Sequence, residues 1–267
     1  MAVHAHPDDE CISTGGILAR YAAEGVRTVL LTCTDGAVGE ISDPSLATPE
    51  NLVEVRDREL ADSVRILNIS RLVKLGYRDS GMDGTADNQN PAAFLQCDFQ
   101  EAVDRVLQVV REEHPQVVVT YDERGGYGHP DHIRAHQVAV AAFNAAANDA
   151  VHPQKLYYAV IKRSSIPKFG ERLRAAGIDV PFQDLRDDET PFAVADERVT
   201  TEVDVSQYVS TKRAALIAHR TQMGPNQFFM RLPESLFGDV FGQETFQRVV
   251  GAGPTPEHDL FAGIESR

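Results

Sequence analysis

Between Val3 and Cys33 the chain reads as strand, helix, strand, and no other stretch restricts its fold so much. A short apolar run through Val3 comes first, and Val26 to Cys33 is a second run of apolar and β-branched residues. Between them Ile17, Leu18, Tyr21 and Ala22 share one face of a helix spanning Gly15 to Gly25, with Gly25 placed as its stop. Two strands joined through a helix lie parallel, with a right-handed crossover. The rhythm continues with a helix over Glu54 to Leu67, a strand over Arg71 to Leu75 and a helix over Asp98 to Glu113. A strand at Gln116 to Tyr121, a helix at Ile133 to Ala147 and a strand at Leu156 to Ile161 follow. This pattern predicts an α/β fold, a Rossmann-like and mostly parallel sheet flanked by helices. Ligands are then expected beyond the C-terminal ends of the strands.

After Lys162 the rhythm weakens. Lys168 to Ala176 reads as a helix, Arg198 to Val205 as a strand, and Gln207 to His219 as a helix. The last forty or so residues are rich in Gly, Pro and Phe and are expected to wrap back over the sheet. At 267 residues the chain fits a single domain, 1–267. Residues 1–162 would form the Rossmann-like core and 163–267 a smaller C-terminal α+β lobe closing over the site. Ser42 to Asn51 and Asp83 to Ala92 are polar loops beside strand ends and candidate substrate walls.

The net charge of −14 argues against nucleic acid or anionic lipid as partner. No apolar run is long enough to span a bilayer, and the N-terminus lacks the pattern of a signal peptide. Three cysteines, Cys11, Cys33 and Cys97, without framework spacing fit buried thiols in a reducing cytoplasm. A homo-oligomer is compatible with the sequence but not specified by it.

The chemistry concentrates in His6-Pro7-Asp8-Asp9-Glu10. Three adjacent carboxylates at the end of a buried strand repel one another and lose hydration, and a bound cation removes the objection. Imidazole beside carboxylate suits a transition metal such as zinc. The same grammar returns at Gly128-His129-Pro130-Asp131-His132, so the two stretches read as halves of one metal site. A dinucleotide would require glycines after the first strand, where carboxylates stand instead.

These two motifs, in this order and strand context, resemble the zinc-dependent N-acetylglucosaminyl deacetylases, the PIG-L or LmbE-like family, from Val3 to about Tyr158. Further marks are similar to the branch that handles mycothiol and its precursor. They include Thr32-Cys33-Thr34 with Gly39-Glu40, Arg56 with Glu59, and Asp79-Ser80-Gly81-Met82. Thr120-Tyr121-Asp122, Gly125-Gly126-Tyr127, Lys155-Leu156-Tyr157-Tyr158 and Leu260-Phe261-Ala262-Gly263-Ile264 complete them. Relatives usually begin with several more residues before Val3, and Ile161 to Arg198 resembles neither the precursor deacetylase nor the conjugate amidase closely.

The resemblance implies His6, Asp9 and His132 as ligands of Zn2+, with Fe2+ equally acceptable to such donors. It implies Asp8 as general base, and His129 and Tyr127 near the reacting carbonyl. Asp131 would orient an imidazole, without the sequence saying which. Arg56 and Asp79 would bind sugar or inositol hydroxyls, with Met82 and Ser13 lining the same pocket. Each has a plainer reading: a satisfied polar cluster for the trio, a helix N-terminal carboxylate for Asp8, a packed ring for Tyr127, a surface ion pair with Glu59 for Arg56. His136, one turn beyond His132, could support the site, His4 would pack beneath it, Cys11 could approach the metal, and the role of His219 is open.

The implied reaction is hydrolysis of an N-acyl, typically N-acetyl, amide on a glucosamine-type sugar. The substrate is either a GlcNAc-inositol or a mycothiol S-conjugate, and the C-terminal residues tilt toward the conjugate. A deacetylase of natural-product biosynthesis and a catalytically silent metal- or sugar-binding module are the alternatives. Every motif residue a silent module would have lost is present.

Overall fold

A computed structural model describes residues 1–178, 190, 192–225 and 227–264. The opening unit is β1 (Ala2–His4), a short α1 (Asp9–Ser13), α2 (Gly15–Ala23) and β2 (Val29–Thr34). Then come α3 (Leu52–Ile66), β3 (Arg71–Tyr77), α4 (Phe99–Glu113) and β4 (Val117–Tyr121). A kinked turn, α5 (Gly125–Gly128), leads into α6 (Pro130–Ala146) and β5 (Lys155–Ala159). The second part holds β6 (Ile161–Lys162), α7 (Ser165–Ala175), β7 (Ala193–Val194), β8 (Thr201–Asp204) and α8 (Val209–Ala218). It closes with α9 (Phe228–Arg231), α10 (Glu234–Phe241) and β9 (Gln243–Val250). Most of the divergent stretch from Ile161 to Arg198 is described, but 179–189 and 191 lie outside the described residues.

The main sheet has the order β3-β2-β1-β4-β5-β9-β8. Its first five strands are parallel, in registers such as Val3 opposite Leu31 and Val119 opposite Tyr157. Strand β9 runs antiparallel to both β5 and β8. Alternate residues feed opposite faces, as the pleat demands. Val3, Leu31, Cys33, Val118 and Leu156 join one core with α4 and α6, whereas Ala2 and Leu30 face α2, α3 and α8. Burial on both faces explains why these strands read as continuous apolar runs. Helix α4 begins where Asp98 accepts the Glu101 N–H at 2.8 Å, and ends at His114 in the left-handed region. Helix α6 starts at Pro130, three residues before the expected Ile133, because proline at the first helical position needs no N–H partner.

The C-terminal stretch does more than wrap. Strands β8 and β9 extend the sheet itself, while α8 packs on α2 and α3. The sequence hides β9 because a core position is polar. Glu244 is buried, accepting the N–H groups of Gly16 and Ile17 at 2.7 and 2.8 Å and Lys212 Nζ at 2.6 Å. A second buried polar cluster fastens the segment that follows. Lys155 Nζ donates to Glu257 Oε1 at 2.6 Å, Tyr157 Oη at 3.0 Å and the Ala262 carbonyl at 2.5 Å. Glu257 also accepts from Tyr157 Oη at 2.7 Å, from Thr201 Oγ1 at 2.9 Å and from Arg248. Among the described residues no helix is long and apolar enough to cross a membrane.

The chain moves outward from β1 in both directions. β2 and β3 lie on one side, β4 and β5 on the other. The crevice beyond the C-terminal ends of β1 and β4 is therefore the topological switch point of the sheet, where open α/β folds hold ligands. His6 follows β1 and the Asp122 to His132 turn follows β4, so both motifs open into it.

Candidate active site

Three predicted ligands meet there. His6 Nδ1 lies 3.1 Å from His132 Nε2 and 3.4 Å from Asp9 Oδ2, and His132 Nε2 lies 3.4 Å from Asp9 Oδ1. Zinc bonds of roughly 2.0–2.2 Å put the corners of a tetrahedron roughly 3.3–3.6 Å apart, close to these separations.

The protons point the same way. His132 Nδ1 faces the Gly125 carbonyl at 3.2 Å, which places its hydrogen there and leaves a lone pair at Nε2. His6 Nε2 faces Asp131 Oδ2 at 3.3 Å and Asp79 Oδ1 at 3.6 Å, which leaves a lone pair at Nδ1. Two lone pairs and a carboxylate thus converge with no donor among them. Only a cation satisfies that arrangement, either a metal or a second proton on His6. Burial opposes a charged His6, but the Asp131, Asp79 and Asp9 carboxylates outweigh it and hold its pKa well above the usual histidine value. Burial drives His132 down to about 4, so it stays neutral and able to ligate. The donor set fits zinc or iron.

Asp9 is anchored by two donors. Its Oδ2 accepts the His6 N–H at 2.8 Å and the Tyr121 hydroxyl at 2.7 Å, and the Tyr121 ring stacks on His132 at 4.3 Å. Asp131 settles the question of its partner. Fully buried, it accepts the Ser80 N–H at 2.8 Å and orients His6, the arrangement that fixes a ligand's tautomer. His129 caps α6, its Nδ1 accepting the Asp131 N–H at 3.1 Å. Its hydrogen is therefore on Nε2, and the ring is a donor. Burial, then the neighbouring His6, lowers its pKa. His6, His129 and His132 present ring nitrogens within 4.8 Å of one another.

Asp8 stands beside the trio with φ 125° and ψ −28°, a conformation that side-chain-bearing residues rarely adopt. Arg56 Nη2 donates to Asp8 Oδ2 at 3.2 Å and to the Pro7 carbonyl at 2.5 Å, and Nη1 donates to the Gly36 carbonyl at 2.9 Å. Burial raises the Asp8 pKa to about 6, with Arg56 opposing and Asp9 assisting. The guanidinium fits because Gly36 and Gly39 lack side chains. A Cβ at either would lie 2.5 Å or closer to an Arg56 atom. Arg56 therefore makes no surface pair with Glu59, which accepts from Thr221 instead.

The remaining expected residues divide by exposure. Asp79 is buried, accepting the N–H groups of Gly81 at 2.8 Å and Val38 at 3.3 Å. Both it and Arg56 are buried, Asp79 facing His6 at 3.6 Å and Arg56 holding Asp8 at 3.2 Å. Met82 and Tyr127 are 49% and 57% exposed, and the Tyr127 ring sits 4.9 Å from that of His132. Ser13 ends α1, half-buried. His4 packs underneath on Thr14 at 2.8 Å, and His136 bonds the Tyr121 carbonyl at 2.9 Å rather than the trio. Cys11 faces Glu10 and Ser63. Tyr121 and Ser80 stood in the sequence only within the marks of the resemblance and Glu10 only as one acid among three, none with a role of its own.

Fold and site define the class: a metal-dependent amidohydrolase on a Rossmann-like sheet. Residues 1–143 match the family described as PIG-L, GlcNAc-PI de-N-acetylase. The chain belongs to that family. It is similar to the 1D-myo-inositol 2-acetamido-2-deoxy-alpha-D-glucopyranoside deacetylase of Geodermatophilus obscurus, 44% identical over 99% of this chain and 97% of the relative. The enzyme of the same name from Acidothermus cellulolyticus is 42% identical over 99% and 94%. Among solved structures, N,N'-diacetylchitobiose deacetylase from Pyrococcus horikoshii superposes with a TM-score of 0.60 at 20% identity. That match covers 94% of this chain and 83% of the other, and shows the shared fold.

Proposed function

We propose that this protein is a cytoplasmic zinc hydrolase that removes the acetyl group from a GlcNAc-inositol. The convergence of the His6 and His132 lone pairs and the Asp9 carboxylate beside Asp8 carries the reading. The relatives at 44% and 42% identity bear the name of this deacetylase and favour it over the S-conjugate hydrolysis to which the C-terminal residues tilted. When bound by His6, Asp9 and His132, zinc supplies Lewis acidity toward the amide carbonyl and lowers the pKa of water to about 7.

The chain's own groups do the rest. Asp8 takes the proton from the attacking water and returns it to the departing amine. The Nε2–H of His129 and the hydroxyl of Tyr127 donate to the carbonyl oxygen as it gains negative charge. Tyr127 stays protonated, because partial burial of its hydroxyl and then the Asp9 and Asp8 carboxylates raise its pKa. Asp131 and Asp79 orient His6, Arg56 holds Asp8, and the exposed Met82 and Tyr127, with Ser13, meet the amino sugar. The test is primary-amine release from GlcNAc-inositol and from a bimane conjugate of mycothiol, each with and without chelator. Chelator-sensitive release from the first alone is expected. Release from the conjugate alone would move the substrate, and release from neither by zinc-loaded protein would sink the deacetylase reading.

A further inference from the structure

Asp8 holds an unfavourable main-chain conformation, and something other than its own preference must keep it there. Arg56 grips its carboxylate, but its backbone N–H is taken by Glu10 Oε2 at 3.0 Å. Glu10 is fully buried and is itself built in from three elements. Ser63 of α3 donates to its Oε1 at 2.5 Å, the Cys11 thiol of α1 at 3.1 Å, and His219 Nε2 at the end of α8 lies 2.8 Å away. His219 has no exposed surface, and its other nitrogen has no partner among the described residues. A buried carboxylate–imidazole pair with an orphaned atom is a poor way to gain stability, since apolar side chains fill such a space better. It is a good way to fix a geometry.

The same stretch of chain grips other loops around Asp8. Thr221 donates twice to Glu59, one turn beyond Arg56 on α3, and Gln222 Nε2 donates to the Glu40 carbonyl at 3.0 Å. The end of α8 is thus tied to α1, α3 and the loop that wraps Arg56.

We propose that Glu10 and His219 are positioning residues for the base. His219 and Ser63 fix the Glu10 carboxylate, and Glu10 holds the Asp8 main chain in the one orientation in which its side chain meets both Arg56 and the cleft. The inference rests on Asp8 being the base, and it gives His219 the role the sequence leaves open. It also gives a residue of the C-terminal part a share in chemistry placed on the two motifs.

The experiment measures kcat and KM for amine release from GlcNAc-inositol, zinc content and thermal midpoint for the full chain. The variants are Glu10→Ala, Glu10→Gln, Ser63→Ala and His219→Gln. A base displaced by an ångström costs about 100-fold, so Glu10→Ala should lose about that much in kcat while KM stays within about twofold and zinc content stays as in wild type. Glu10→Gln keeps an oxygen for the Asp8 N–H and should regain at least about tenfold of the loss. Ser63→Ala and His219→Gln should show smaller losses of the same kind, and they keep the test alive if Glu10→Ala does not fold. Unchanged kcat in all variants, or a Gln variant no better than Ala, overturns the proposal. So does a loss that follows zinc content. Wild type without turnover overturns the deacetylase reading itself, whereas active wild type with indifferent variants overturns only this inference.

Discussion

Two buried polar clusters sit on the same sheet, and they differ in their hydrogen bookkeeping. Around Lys155 and Glu257 each ammonium proton has an acceptor, and each carboxylate oxygen has two donors. Around His6, Asp9 and His132 acceptors face acceptors. The first cluster is complete and does nothing but hold the C-terminal segment against β5 and β8. The second is complete only with a cation. Burial and charge are alike in both, so neither property marks the candidate site. The surplus of lone pairs does.

The sharpest way to break the comparison is to remove the proposed base beside the open cluster. Asp8→Asn should lower kcat by about 10²–10⁴-fold while zinc content and thermal midpoint stay near wild type, measured by amine release and metal analysis. Equal loss of zinc would show that Asp8 is a ligand instead. The closed cluster should respond in the opposite currency. Lys155→Met leaves Glu257 buried without its ammonium and should cost about 3–5 kcal/mol in denaturant unfolding, with kcat of the folded fraction unchanged. Lys155→Met with Glu257→Leu should recover much of that stability. If the double variant is no better than the single, the ion pair contributes net stability of its own.

Asp131→Asn tests the link between proton placement and metal affinity. An amide directed at His6 Nε2 no longer favours the tautomer with a lone pair at Nδ1, and zinc affinity should fall about 10–100-fold in competition with a chelator. Unchanged affinity would mean that Asp79 alone orients His6. The smallest effect is that of acid on the closed cluster. Burial alone would raise the Glu257 pKa, but the bonds from Lys155, Tyr157 and Thr201 outweigh it, so the folded value is depressed. Its contribution is therefore complete above the ordinary Glu pKa of about 4.3 and declines as pH falls from there through the depressed folded value. Unfolding free energies at a series of pH values should show that slope in wild type and not in the Lys155→Met/Glu257→Leu variant.

The parallel core was legible because β2 and β4 bury both faces and read as unbroken apolar runs. The two motifs were legible as halves of one metal site because imidazole and carboxylate stand together at both strand ends, while the choice of His6, Asp9 and His132 among them came from the family resemblance. What the residues alone could not show was direction. Asp131 could serve either neighbouring histidine, and only the fold turns it toward His6. Arg56 carries a charge suited to a surface pair or a sugar, yet Gly36 and Gly39 leave it room to turn inward. Strand β9 was missed for a related reason, since Glu244 at a core position breaks the alternation and its partner Lys212 is distant in sequence. Glu10 and His219 are 209 residues apart, and no local pattern links them.

The pairing of β1 with β4 has a consequence for how the protein matures. Ala2 aligns with Val119, so the two halves of the cation site are joined only after a loop of more than a hundred residues has closed. An ion added to the unfolded chain meets His6 and Asp9 in one place and His132 in another, neither a complete coordination set. Loading should therefore follow the main folding transition. In stopped-flow refolding, a zinc-sensitive dye would lose its metal with the rate of sheet formation or slower, never faster. Seen this way, the centre of the sheet acts as an order-of-assembly gate, and metal is taken up by chains that have already passed it.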